Sequence, residues 1–126
     1  MVLLYLGCVR SRIIALPINP VYSEEELRYF LSDSGARFLI AEEGTQSVID
    51  PIQRSLMSVE KVVHVDPSGR GWVEHAVGTQ PFVSSFAVQP DNGAIMLYTS
   101  GTTGPPKGCI MSQKSCVINL QRVIEA

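Results

Sequence analysis

The sequence predicts an α/β fold, a parallel sheet with covering helices. Three observations carry that expectation. Apolar runs of strand length alternate with helical patterns from residue 13 to residue 65, and parallel strands need long covered connections, normally helical and right-handed. The chain of 126 residues is 45% hydrophobic, enough for one modest globular core. A stretch rich in glycine and hydroxyls then follows the apolar run AIMLY at 94–98, and in open α/β sheets ligands sit beyond the carboxyl ends of strands.

The N-terminal VLLYLG at residues 2–7 is too short to span a bilayer and has no basic residue before it, so it reads as a helix end or a buried strand. Residues 13–16, IIAL, suit a buried strand closed by Pro17 and Pro20. Ser23 is placed to cap a helix and Glu26 to complete a capping box, with Glu24 and Glu25 at the positive end of the dipole. Leu27, Phe30 and Leu31 repeat at helical spacing, and Gly35 supplies a left-handed stop, so this helix covers residues 24–34.

Residues 38–41 read as a second strand. Val48, Ile49, Ile52 and Leu56 form a helical pattern interrupted by Pro51, which is expected at the first helical position with Asp50 as its cap. Residues 62–65 make a third strand, ended by the turn signal DPSG at 66–69. From 68 to 92 periodicity fades into a connecting region with one short element around 72–77. Residues 94–98 form another buried strand, 109–111 a brief one, and Cys116, Val117, Leu120, Val123 and Ile124 recur as one helical face.

Composition narrows the function. A formal charge of -2, with no clustered basic residues, argues against nucleic acid. Cys8, Cys109 and Cys116 are odd in number and unpaired in spacing, which indicates neither a disulfide framework nor a zinc site and fits a reducing, cytoplasmic setting. No metal site is assigned, and no membrane segment is read in this chain. His64 and His75 are read as structural, Trp72 as packing, and the two later cysteines as small hydrophobes.

The chemistry concentrates in TSGTTGPPKG at 99–108. Holding a polyphosphate requires successive backbone amides to converge on anionic oxygens, which glycines permit. Gly101, Gly104 and Gly108 offer that freedom, Thr99, Ser100, Thr102 and Thr103 offer hydroxyls, and Lys107 offers a point charge. Pro105 and Pro106 stiffen the return of the loop. The order excludes a Walker A loop, since Pro106 precedes Lys107 and Gly108 follows it.

This stretch resembles the phosphate-loop signature of the adenylate-forming (AMP-binding) superfamily: acyl-CoA synthetases, peptide-synthetase adenylation domains and firefly-type luciferases. Leu97 and Tyr98 match the family's approach to the loop. Upstream, Asn19 and Pro20, Glu26 and Leu27, and Ser34, Gly35 and Ala36 fall where acyl-CoA synthetases carry such residues. The resemblance implies that residues 1–126 are a partial AMP-binding domain, part of the large N-terminal domain of an adenylate-forming enzyme.

It further implies an ATP-dependent acid–thiol ligase with ATP, Mg2+ and coenzyme A, and a small carboxylic acid as substrate. Thr99, Ser100, Gly101, Thr102, Thr103, Gly104 and Lys107 match the loop that holds ATP, with Lys107 the catalytic candidate. Gln113 stands where many relatives place a histidine beside the carboxylate. The family's magnesium-positioning acids, ribose-binding aspartate and C-terminal catalytic lysine are expected beyond residue 126, so the chain alone is expected to be inactive. A carrier-protein adenylation domain and a truncated non-catalytic product are the alternatives.

Overall fold

In the computed structural model, residues 2–66, 68, 87–99 and 104–125 are described. They form α1 (Val2–Arg10), α2 (Glu24–Ser34), β1 (Phe38–Glu42), α3 (Gln46–Ser55), β2 (Lys61–Val65), β3 (Gly93–Thr99), β4 (Lys107–Ser112) and α4 (Gln113–Ile124). The chain divides into two compact units. One contains residues 18–82, and the other combines residues 1–17 with residues 83–126.

In the first unit, local chemistry sets the elements as expected. Ser23 Oγ accepts from the Glu26 amide, and the Glu26 carboxylate accepts from the Ser23 amide at 2.8 Å. Glu24 and Arg28 add an ion pair one turn apart. Gly35 closes α2 at φ 63°, donating its N–H to the Ser32 carbonyl. β1 and β2 pair in parallel with Phe38 opposite Lys61 and Glu42 opposite Val65, and α3 makes the crossover between them.

The apolar faces meet as the periodicity predicts. Leu27 and Leu31 of α2 pack with Ile49 and Ile52 of α3 and with Val59, flanked by Leu39 of β1 and Val62 of β2. Ile52 is fully buried. Removing such side chains from water stabilises by roughly 1.5–3 kcal/mol each.

One local expectation is corrected. Pro51 lies inside α3, which starts at Gln46 after Thr45, so Asp50 is not its cap. Without an N–H on Pro51, the Ser47 carbonyl lacks its ordinary helical donor. Ile49 and Ile52 reach the core together only if the backbone is already helical before the proline, and their burial outweighs the lost bond.

The box at the start of α2 yields a stability prediction. The Ser23 amide and hydroxyl hold the Glu26 carboxyl below its ordinary value. Its contribution is therefore complete above the unfolded-state value and fades as pH falls through the lower folded-state value. Ser23→Ala is expected to cost about 1 kcal/mol and to flatten the acid limb of stability. Urea melts of both forms between neutral and acid pH will check this. An unaltered acid limb will remove the Ser23 hydroxyl from the account, since the backbone amide of residue 23 still donates to Glu26 after the substitution.

The second unit is built on an antiparallel hairpin of β3 and β4, with Ile95 opposite Met111 and Thr99 opposite Lys107. The strand expected at 13–16 reduces to one parallel bridge: Ala15 donates its amide to the Ala94 carbonyl and accepts from the Met96 amide at 2.8 Å. Gly93 lies where Ile14 and Ile110 close in, and a β-carbon there would stand 2.8 Å from Ile14 Cδ1, so a side chain would make Ile14 shift. The N-terminal apolar stretch takes the helical alternative as α1, with no residue fully buried.

Among the described residues no helix is long and apolar enough to cross a membrane. Residues 72–77, with Trp72 and His75, lie outside the described residues, as do Pro67 and Gly69 of the turn signal. Within that turn, Asp66 Oδ1 accepts from the Ser68 amide at 2.7 Å.

Candidate functional site

The hairpin positions the glycine-rich stretch. β3 delivers Thr99 to one side of the loop mouth and β4 begins with Lys107 on the other, the two being register partners. Thr99 Oγ1 donates to the Lys107 carbonyl at 3.4 Å, a long bond that ties the mouth without engaging the ammonium group. Both residues are exposed, and among the described residues Lys107 makes no ion pair. A lysine in that position offers a full charge to an anion.

Gly104 has φ 112°, a left-handed region where a side chain would be strained, so the glycine is needed before the two prolines. Ser100, Gly101, Thr102 and Thr103 lie outside the described residues. At Gly108 an added β-carbon would collide with Met96 Cε and stand 3.2 Å from the Tyr98 ring. Here glycine serves close cross-strand packing, a role its place in the motif does not reveal.

β4 passes directly into α4. Ser112 is the N-cap, its Oγ accepting from the Ser115 amide at 3.2 Å. Gln113, the first helical residue, is half-buried, and its side-chain Nε2 is buried with no hydrogen-bond partner among the described residues. An amide nitrogen left in this state incurs its full desolvation cost unless an acceptor arrives.

The remaining titratable candidates fall into structural places. His64 on β2 has Nε2 4.0 Å from Asp50 Oδ1, and its Nδ1 is buried without a partner among the described residues. The Tyr5 hydroxyl donates to Cys116 Sγ at 3.9 Å, burial first and the thiol second raising the phenol above its ordinary range. Burial also raises the Cys8 thiol, while Cys109 is exposed on β4. No group of three His, Cys, Asp or Glu side chains suited to a metal ion occurs among the described residues.

The bonding around residues 89–92 is a feature of this unit that the sequence reading missed. Gln89 and Asn92 close a turn reciprocally: the Asn92 amide donates to the Gln89 carbonyl at 3.0 Å, and Asn92 Oδ1 accepts from the Gln89 amide at 2.8 Å. The Pro-Asp-Asn order was a usable turn signal. Its link to α4 was not, because it runs between distant backbone groups.

The chain is 31% identical over 130 residues to an oxalate–CoA ligase of Arabidopsis thaliana, covering 97% of this chain and 24% of that protein. It is 34% identical over 123 residues to tyrocidine synthase 2 of Brevibacillus parabrevis, covering 98% of this chain and 3% of that one. Among solved structures, ATP-bound MatB from Rhodopseudomonas palustris superposes with a TM-score of 0.82 at 29% identity, over 97% of this chain and 24% of MatB. The chain thus spans about a quarter of the length of the ligases it matches. The AMP-binding enzyme family matches residues 1–125, and with the α/β architecture and the loop mouth of Thr99 and Lys107 in place, the chain belongs to that family.

Proposed function

We propose that this chain is the phosphate-loop segment of an ATP-dependent acyl-CoA synthetase. The reaction joins a carboxylate to AMP with release of pyrophosphate, and the acyl group then passes to coenzyme A with release of AMP. The observation that carries the reading is the hairpin mouth, where Lys107 stands exposed opposite Thr99 and the same strand runs on to Gln113, whose side-chain Nε2 is unpartnered among the described residues.

In the first step a carboxylate oxygen attacks the α-phosphorus and the bond to the bridging oxygen of pyrophosphate breaks. Negative charge grows on the leaving group, and a preorganised cation there stabilises the transition state more than the ground state. Lys107 supplies that charge. The hydroxyls of Thr99, Ser100, Thr102 and Thr103 and the amides around Gly101 and Gly104 hold the β- and γ-phosphates in line with the attack. Gln113 donates from Nε2 to a carboxylate oxygen of the acid. The loop thus comprises residues 99–108.

Magnesium supplies charge neutralisation to ATP in such chemistry. The described residues offer no cluster that would hold it, so no step here is assigned to it. The three unpaired thiols support a reducing, cytoplasmic location. A second reading, an adenylation domain that loads a carrier protein, is favoured by the likeness to tyrocidine synthase 2. Assaying a full-length protein carrying this segment for thioester formation on coenzyme A and on a phosphopantetheinylated carrier separates the two.

Gln113→His in that protein is expected to change relative kcat/KM among a panel of acids by about three- to tenfold, the worth of one altered polar contact, while the KM for ATP stays within twofold. Competition among the acids, beside an ATP titration, measures both. Movement of the ATP constant alone removes Gln113 from the acid site.

A further inference from the structure

The amides at the start of α4 are already engaged. The Gln113 amide donates to the Asn92 carbonyl at 2.9 Å, the Lys114 amide to the Pro90 carbonyl at 2.9 Å, and the Ser115 amide to Ser112 Oγ. A helix N-terminus with its donors free is an anion site. This one is occupied by the protein's own turn, which leaves the buried Gln113 Nε2 as the unpartnered donor there. Both accepting carbonyls belong to the turn closed by the Asn92 side chain on the Gln89 amide.

We propose that Asn92 is a positioning residue for the acid substrate: by closing the 89–92 turn it fixes the backbone of Gln113 and Lys114, and so fixes where the Gln113 amide meets the carboxylate. This rests on the reading of Gln113 as the donor to the acid. The turn holds α4 by two backbone bonds, and a side-chain amide on the first helical residue inherits the position of that backbone. Loss of the Asn92 oxygen leaves the turn held only by the Asn92 amide on the Gln89 carbonyl, which loosens it without removing any group that touches substrate. Aspartate keeps an acceptor oxygen at the same place and is also favourable near a helix N-terminus, so Asn92→Asp is the conservative control.

The test uses a full-length ligase carrying this segment. Asn92→Ala is expected to raise the KM for the acid about three- to tenfold, matching the loss of one hydrogen bond, with kcat and the KM for ATP within twofold. Hydrogen exchange of the Gln113 and Lys114 amides is expected to accelerate by a similar factor, and Asn92→Asp to restore most of both. Unchanged exchange at those amides overturns the proposal, as does an Asn92→Ala defect shared by the ATP constant and kcat, or an aspartate variant as impaired as alanine. Gln113→Ala is measured alongside. If it leaves the acid KM unmoved, the reading of Gln113 falls and this proposal with it. That result is distinct from one in which Gln113→Ala moves the acid KM and Asn92→Ala does not.

Discussion

Lys107→Ala in a full-length ligase carrying this segment is expected to slow acyl-adenylate formation about 30- to 900-fold, the effect of losing one preorganised charge partner at roughly 2–4 kcal/mol. Lys107 is exposed at the first position of β4, and its cross-strand partnership with Thr99 is made by backbone. The Thr99 hydroxyl also bonds the Lys107 carbonyl and not its side chain. Truncation at Cβ therefore removes charge and leaves the hairpin in place. Rapid-quench measurement of acyl-adenylate in a single turnover gives the rate, and thermal melting checks the fold. A rate within threefold of the parent, with the melt unchanged, takes Lys107 out of the mechanism.

Residues 1–126 alone are expected to show no acid-dependent pyrophosphate exchange and only weak binding of ATP. The proposed loop addresses phosphates, whereas adenine and ribose must be held by other groups, and the chain spans 24% of the oxalate–CoA ligase it resembles. Exposed apolar faces point the same way. On α4, Leu120, Val123 and Ile124 are 62%, 76% and 80% exposed, and on α1 Val2 and Leu3 are 71% and 78% exposed. Faces of that kind favour association of an isolated segment over a rigid binding site. Exchange assays across a panel of acids and calorimetric titration with ATP-magnesium test the expectation. Acid-dependent exchange well above a Lys107→Ala control would show that the chemistry resides in these residues.

What could be read in the sequence was what local chemistry determines. Ser23 with Glu26, Gly35, and the strands at 38–42 and 61–65 all follow from caps and apolar runs that carry their own physical reason. Pro51 was misplaced because a local rule about proline at helix starts met a tertiary demand, the joint burial of Ile49 and Ile52. Residues 13–16 carried a strand pattern but form only the bridge at Ala15, since ladder length depends on the partner strand. In the proposed site, residue order singles out Thr99 and Lys107, and the hairpin makes them register partners. The 89–92 turn under α4 is not, because its bonds join carbonyls and amides that every residue possesses.

The division of the chain has a consequence for the order in which it is made. Residues 18–82 form one unit from a continuous stretch, so its contacts are available as soon as that stretch has emerged. The other unit draws on both ends: Ala15 bridges to Ile95, roughly eighty residues later, a closure whose entropy grows with the logarithm of the intervening length. During synthesis Ala15 must therefore wait, with its amide and carbonyl unsatisfied by β3, until the first residues of that strand have been translated. Contacts of such long sequence separation are the slow ones in folding, which sets the Ala15 bridge late, after the inserted unit has had time to form.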